Sequence, residues 1–167
     1  SLEGKVVVLK QGSDYTIEKS GQEDQWKTYR YHIRASCFQK EGTYVINVYS
    51  EDAANNRSTN KIKTKPVIFT LDRTAPVLVV SNLEDGGKYN EETHRFTISA
   101  RDNISLDKVA VYLDGECIHT YGKEELETTN GKLDVGIPES GQYQKVTLEA
   151  FDKAGNVCRE IYDAQTD

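Results

Sequence analysis

Two five-residue segments, DAANN at 52–56 and DKAGN at 152–156, are near-copies that lie a hundred residues apart in the chain. Each follows a stretch in which apolar and polar residues alternate, YVINVYSE before the first and YQKVTLEAF before the second. Alternation with a period of two is typical of a β-strand that has one buried face. The same turn at the end of the same kind of strand predicts that one β module occurs twice.

The residues of the repeated segment fit a tight turn between two strands. The side chain of Asp152 can accept hydrogen bonds from backbone N–H groups two or three residues further on, as in an Asx-type turn. Gly155 and Asn156 both tolerate a positive φ, which such a turn requires. Asn55 stands where the second copy has Gly155, and Asn also tolerates the left-handed region. The segment is therefore predicted to have a structural role in both copies.

From residue 73 onward the sequence predicts seven short strands separated by turns. Segments 94–101, 108–115 and 132–137 alternate clearly, EDGGK at 84–88 is predicted as a turn, and KEEL at 123–126 is long enough for only one helical turn. Seven strands with regular turns predict an immunoglobulin-like β-sandwich for 73–167. The residues expected to face its core are Phe96, Ile98, Ala100, Val109, Val111, Leu113, Leu133, Val135 and Ile137.

The first part of the chain, 1–72, resembles the second part but begins later in the module. KVVVLKQG at 5–12 is similar to KVAVYLDG at 108–115, and further strands are expected at 14–17, 26–33 and 65–71. Nothing before Lys5 corresponds to the first two strands of the second part. We therefore expect a shorter or truncated Ig-like domain in 1–72, followed almost without a linker by the second domain.

Charge and cysteine content exclude several classes of protein. The formal net charge is −6, and Asp and Glu outnumber Lys and Arg only in 73–167, which argues against a nucleic-acid partner. No apolar run is long enough to span a bilayer, so we expect no membrane insertion by this segment. The three cysteines show no zinc-like spacing. Cys117 and Cys158 are either bridged within one domain or independent thiols.

The repeated turn together with DRTAP at 72–76 resembles the tandem bacterial Ig-like domains of large cell-surface and adhesin-type proteins. The similarity covers SEDAANN through FTLDRTAPV in the first part, and ISARDN, VYLDG and EAFDKAGN in the second. The resemblance implies an extracellular or cell-surface location in a bacterium, with neighbouring Ig-like repeats of the same chain as partners. It implies a structural spacer that holds a more distal region away from the cell, or an adhesive module.

In an Ig-like sandwich, the N-terminus, the loop after the second strand and the loop before the last strand lie at one end. Asp72, Asp102, Asn103 and Asp152 occupy those three places. Oxygen-bearing side chains meet in this way at the domain junctions of calcium-rigidified tandem repeats, and Ca²⁺ takes six to eight oxygen ligands. The hypothesis is a calcium site at the junction. The alternative is that each residue is an ordinary turn former.

A second candidate site is a row of aromatic residues in WKTYRYHI at 26–33. Tyr29 and Tyr31 share one face of the predicted strand, with Trp26 nearby, and such rings stack on sugars or contact proteins. The alternative is that they pack inside the sandwich. Catalytic sequence motifs are absent, including GxSxG, HExxH and any glycine-rich phosphate loop. The sequence therefore predicts a protein that is not an enzyme and that has no cofactor, calcium excepted.

Overall fold

A computed structural model describes residues 4–22, 27–52, 54–59 and 66–167 of the chain. The chain divides into two compact units, Ser1–Asp72 and Arg73–Asp167. Both units are built from β-strands, and the α-helix of the second unit is six residues long. The predicted all-β fold class is confirmed.

Among the described residues of the first unit, six strands form three separate antiparallel pairs. Strand β1 pairs with β2, β3 pairs with β6, and β4 pairs with β5. The alternating run before the first turn is divided between β3 and β4, because Tyr49 pairs with Thr59 whereas Ile46 pairs with Val67. The bounds are Tyr15–Ser20 (β1), Thr28–Ile33 (β2), Gly42–Ile46 (β3), Tyr49–Glu51 (β4), Arg57–Thr59 (β5) and Val67–Leu71 (β6).

The first unit has no enclosed core among its described residues, since none of them is buried. Its best-packed group is an aromatic cluster in which the rings of Phe38 and Tyr44 lie 5.1 Å apart and those of Tyr44 and Phe69 5.4 Å apart. The strand expected at 5–12 is not formed, and Val6 and Val8 are 85% and 83% exposed. That prediction was wrong because no described strand lies beside this segment to pair with it. Its one β-bridge joins Gln11 to Tyr15.

The second unit is a sandwich of two sheets. One sheet has the strand order β12-β9-β7 and the other has the order β11-β10-β13-β14-β8. The elements are Val77–Ser81 (β7), Gly87–Tyr89 (β8), Thr93–Arg101 (β9), Leu106–Leu113 (β10), Glu116–Tyr121 (β11), Lys123–Thr128 (α1), Lys132–Pro138 (β12), Tyr143–Asp152 (β13) and Val157–Thr166 (β14).

Strand β8 is the one strand of this unit that the sequence analysis missed. The region 84–88 was expected to be a turn, but Gly87–Tyr89 pairs in parallel with the end of β14, where Gly87 lies opposite Ala164. The unit thus has eight strands rather than seven. Three residues are too few to show an alternating pattern, and the pairing joins parts of the chain that are far apart in sequence.

The core lies between the two sheets and consists of the residues that the alternation placed inward. Ile98, Val109 and Leu148 have no exposed surface, and all of the predicted core residues are buried except Leu113, which is partly buried and packs against the core. Adjacent strands place their inward rows side by side, as in the pair of Leu133 with Ile98. The predicted inward faces are therefore confirmed.

The three cysteines carry free thiols. Cys117 lies in β11 and Cys158 lies in β14, and β10 and β13 separate these two strands within the sheet. Three inter-strand spacings amount to about 14 Å, whereas a disulfide requires Cα atoms within about 7 Å. A bridge between Cys117 and Cys158 is excluded, and the alternative of independent thiols is correct.

Gly131 connects the helix to β12 in a space that admits no side chain. Its φ is +71°, its N–H donates to the Leu126 carbonyl at 2.8 Å, and its carbonyl accepts the N–H of Ala100 at 2.9 Å. A Cβ atom there would overlap the Ala100 carbonyl oxygen. Gly141 also has a positive φ, of +63°, but a Cβ there would meet no atom within 4 Å.

We predict that Gly131→Ala lowers the free energy of unfolding of the second unit by about 3 kcal/mol or more, because it adds an overlap with β9 to the backbone strain. Gly141→Ala is the matched control and should cost about 1–2 kcal/mol, from the left-handed conformation alone. Urea unfolding, followed by resolved NMR signals of the second unit, measures both. Equal losses would contradict the predicted overlap.

Candidate functional site

The turn after β13 is held together by the side chains of its first and last residues. The Asn156 backbone N–H donates to Asp152 Oδ1 at 2.8 Å, and the Asn156 side-chain amide donates to Asp152 Oδ2 at 2.7 Å. The Asp152 N–H donates to the Asn156 carbonyl at 3.1 Å. Gly155 has a φ of +92°. Both oxygens of the Asp152 carboxylate are therefore fixed in position by Asn156.

The turn after β4 repeats this geometry. The backbone and side-chain N–H groups of Asn56 donate to the two oxygens of Asp52 at 2.9 and 2.8 Å, and Ala54 N–H also donates to Oδ1 at 2.8 Å. Asn55 has a φ of +64° at the position of Gly155. The predicted turn is thus confirmed in both copies, and Asn55 replaces glycine as expected.

The sequence analysis missed the role of Asn156. It treated Asn156 as a residue that supplies a positive φ, but the left-handed residue is Gly155, and Asn156 is the hydrogen-bond donor to Asp152. The signal was present in the sequence, because Asn56 and Asn156 are conserved between the two copies at the same distance from an aspartate.

The two turns differ in their surroundings. Asp152 is buried, with 3% of its surface exposed, whereas Asp52 is exposed. Burial raises the pKa of Asp152, but hydrogen bonds from Asn156, Gly155 and Ala154 outweigh it, so the pKa lies below the ordinary value of 3.8. The pKa of Asp52 is also lowered, mainly by hydrogen bonds from Asn56. The Asp152 carboxylate is thus held in its charged form.

Asp102 and Asp152 continue the inward-facing rows of the two sheets. Asp102 follows Phe96, Ile98 and Ala100 in steps of two along β9, and Asp152 follows the row of β13 in the same way. Since the two rows face each other across the core, their next members meet at one end of the sandwich. Leu106 pairs with Asp152, which places the loop after Asp102 beside the turn at 152–156.

The chain also enters the second unit at this end. Val77, the first residue of β7, pairs with Arg101, the last residue of β9. The Asn156 side-chain amide lies 3.5 Å from the Thr74 carbonyl oxygen, to which it donates. Asp72 immediately precedes Arg73, the first residue of the second unit.

Carboxylate oxygens of Asp72, Asp102 and Asp152 all lie within 4.8 Å of one another. Asp102 Oδ1 accepts the N–H groups of Ile104 and Ser105 at 2.8 and 2.5 Å. Asp102 Oδ2 is buried and has no hydrogen-bond partner among the described residues. A buried carboxylate oxygen without a partner is costly, which makes it suited to a ligand that the protein itself does not supply.

The spacing of these oxygens fits a calcium ion. Two oxygens that each lie about 2.3–2.6 Å from one ion are at most about 5.2 Å apart. Three carboxylates would also repel one another unless a cation neutralised them. Asp72, Asp102 and Asp152 would each contribute one oxygen, and backbone carbonyls and water would complete the six to eight ligands. Asn103, the fourth predicted ligand, is exposed in the same loop as Asp102.

The second predicted site is described only in part. Tyr29 and Tyr31 alternate along β2 and are 47% and 39% exposed, so neither is packed inside a core. The ammonium of Lys19 lies 5.5 Å from the ring centre of Tyr29, and the rings of Tyr15 and Tyr31 are 5.8 Å apart. Trp26 lies outside the described residues. The two tyrosines thus present an aromatic face on β2.

No family model matches the sequence, and no curated protein is significantly similar to it. Among the described residues, no helix has both the length and the hydropathy needed to cross a membrane.

Two solved structures share the β architecture at low similarity. Fibronectin(III)-like modules of CbhA from Clostridium thermocellum align at a TM-score of 0.41 with 12% identity, over 54% of this chain and 98% of the other. The adhesin InvE of Yersinia pseudotuberculosis aligns at 0.34 with 11% identity, over 83% of this chain and 53% of the other. At these values neither likeness carries an argument about function.

We predict that Asn156→Ala lowers the free energy of unfolding of the second unit by about 1–3 kcal/mol at neutral pH, measured with chelator present, because a buried carboxylate loses a donor. Because the pKa of Asp152 is lower in the folded state, the hydrogen bond from Asn156 stabilises the unit fully at pH values above the ordinary aspartate pKa. This stabilisation is lost as the pH falls through the lowered value, so wild type and variant should converge in acid.

Asn56→Ala is the matched control for this prediction. It removes the same amide from the turn of the first unit and should leave the unfolding of the second unit unchanged. A loss that is independent of pH would contradict the assigned role of the Asp152 charge.

Proposed function

We propose that this chain is a non-enzymatic structural module of a secreted or cell-surface bacterial protein, and that Ca²⁺ bound by Asp72, Asp102 and Asp152 stabilises it. The observation that carries the proposal is the cluster of three carboxylates, in which Asp102 Oδ2 is buried without a partner. Such a module would serve as a spacer that holds a more distal region away from the cell.

An extracellular location is compatible with the chemistry of the proposed ion. Extracellular modules bind Ca²⁺ with dissociation constants of about 10⁻⁴–10⁻³ M, which match the calcium levels outside cells rather than inside them. The resemblance of the repeated turns to bacterial Ig-like domains supports the same location.

A spacer role also accounts for the way in which the ligands are arranged. Asp72 directly precedes the first residue of the second unit, Asp102 follows the last residue of β9, and Asp152 is the last residue of β13. An ion held by all three would fix the entering segment to both sheets. A spacer requires such resistance to bending at the point where the chain enters a domain.

A second candidate function is adhesion through the aromatic face on β2. The observation that favours it is the exposure of Tyr29 and Tyr31, since exposed aromatic rings stack on sugars and are enriched in protein interfaces. The ligand in that case is a glycan or a protein on a host or in the environment. Adhesion and calcium binding use different residues and are therefore tested separately.

We predict that excess Ca²⁺ raises the melting temperature of the second unit by roughly 5 °C or more relative to chelator, because an ion that binds only the folded state stabilises it by mass action. Asp102→Asn and Asp152→Asn should each remove most of this rise. Asp52→Asn, which changes the same residue in the twin turn, should keep it. Equal melting temperatures with calcium and with chelator would refute the site.

For adhesion, we predict that the full chain binds at least one component of an immobilised glycan array and that the double variant Tyr29→Ala/Tyr31→Ala reduces this binding at least tenfold. Tyr49→Ala is the matched control, because Tyr49 is 70% exposed but lies on β4, in a different strand pair. Absence of binding, or equal binding by the double variant and wild type, would count against this candidate.

A further inference from the structure

The solvent-facing side of the five-stranded sheet has a hollow near its centre. Ala110 in β10 and Glu149 in β13 are register partners, and only 3% and 8% of their surfaces are exposed. Neither belongs to the apolar core, which takes Val109, Val111 and Leu148 from the same strands. Because successive residues of a strand point to opposite faces, Ala110 and Glu149 lie on the outer face. They are therefore covered by other side chains of the outer face, such as Arg159 over Glu149, and not by the core.

Beside these residues lies a shallow depression, the outer hollow, which is wide open to solvent. Its volume is about 410 Å³, and it is lined by Tyr112, Gly115, Thr147, Glu149 and Arg159. Small-molecule sites commonly measure about 300–1,000 Å³. The hollow shares no residue with the carboxylate cluster, because its residues come from β10, β13 and β14 and from the turn before β11.

Glu149 organises the polar groups of the hollow. Arg159 donates from Nε to Glu149 Oε1 at 2.7 Å and also from Nη2 to the same oxygen. Burial, followed by the charge of Glu149 and a hydrogen bond to it, raises the pKa of Tyr112, which keeps its hydroxyl protonated. The Arg159 side chain remains 61% exposed. One buried carboxylate thus holds an arginine and a tyrosine in place while the guanidinium still faces solvent.

The chemistry of these groups favours a neutral ligand that has several hydroxyl groups. The charges of Glu149 and Arg159 cancel, so an anion would gain little from the guanidinium. The arginine N–H groups donate, the carboxylate accepts, and the hydroxyls of Tyr112 and Thr147 can do both. A sugar hydroxyl also donates and accepts, and a tyrosine ring offers apolar surface to a pyranose. An extended peptide, in contrast, is expected to add to the edge of a sheet.

We propose that the outer hollow binds a neutral saccharide, with Arg159 and Glu149 as hydrogen-bonding groups and Tyr112 as the apolar contact. This inference goes beyond the proposed structural role and does not depend on calcium. The position of Glu149 preorganises the arginine, which lowers the entropic cost of binding.

The test is an NMR titration of the ¹⁵N-labelled full chain in chelator buffer. The probes are methyl β-glucopyranoside, methyl β-galactopyranoside, methyl α-mannopyranoside and N-acetylglucosamine. We expect saturable shifts of the Tyr112, Gly115, Thr147, Glu149 and Arg159 amides with at least one of them. Absence of saturable shifts with all four, or shifts confined to Tyr29 and Tyr31, would overturn the proposal. Larger effects of sodium glucuronate at the same amides would also overturn it, in favour of anion binding.

Three variants complete the test. Arg159→Lys keeps the charge but loses the planar fork of N–H groups, and Thr147→Val removes one hydroxyl without disturbing the Glu149 pair. Each should weaken binding, the first at least tenfold. Arg101→Lys makes the same change in an exposed residue of β9 in the other sheet and should bind as wild type does. Unchanged affinity in both hollow variants, with native-like spectra, would contradict the assignment.

Discussion

The structure of the second unit depends on the burial of alternate residues along β9, β10, β12 and β13. Phe96, Ile98 and Ala100 from one sheet face Leu148 and Ala150 from the other. A slip of one residue in any of these strands would turn its apolar row to solvent, so burial fixes the register. Once the register is fixed, the positions of the loops that follow the strands are fixed as well. The candidate site is therefore a consequence of the core.

Asp102 and Asp152 directly follow the apolar inward-facing residues of β9 and β13. Asp102 and Asp152 stand at the next inward positions, where the two sheets open towards solvent, and each is held by N–H groups of its own loop. Burying a charge requires such partners. Asn156 donates hydrogen bonds to both oxygens of Asp152, but Asp102 Oδ2 has no hydrogen-bond donor among the described residues. A cation at this position would complete the arrangement with chemistry that backbone N–H groups cannot supply.

The turn at 52–56 in the first unit shows that the local sequence of the turn is not sufficient to form the carboxylate site. Asp52 and Asn56 reproduce the hydrogen bonds of Asp152 and Asn156 to within a few tenths of an ångström. Asp52 is nevertheless exposed, and none of the described residues of the first unit is buried. The two turns differ because the turn at 152–156 belongs to a unit in which two sheets pack face to face. The turn is a structural device, and the site requires the complete sandwich around it.

The local features of the fold could be predicted from the sequence, whereas the pairing of distant strands could not. Periodicity and turn chemistry are local, so the inward faces of β9, β10 and β12 and the turn at 152–156 were predictable. Ig-like topology further predicted that Asp72, Asp102 and Asp152 would come together. The short parallel strand Gly87–Tyr89, the unpaired segment 5–12 and the outer hollow all depend on which distant strands become neighbours. A single sequence carries little signal for such pairings.

Calorimetric titration of Ca²⁺ into the calcium-free full chain at neutral pH would show whether the three carboxylates form a calcium site. We expect saturable binding of one ion per chain at this site, and this binding should disappear when Asp102 is replaced by Asn. Binding should also weaken in acid, as the ligand carboxylates become protonated. A titration without saturable heat, or one that Asp102→Asn leaves unchanged, would refute the calcium site.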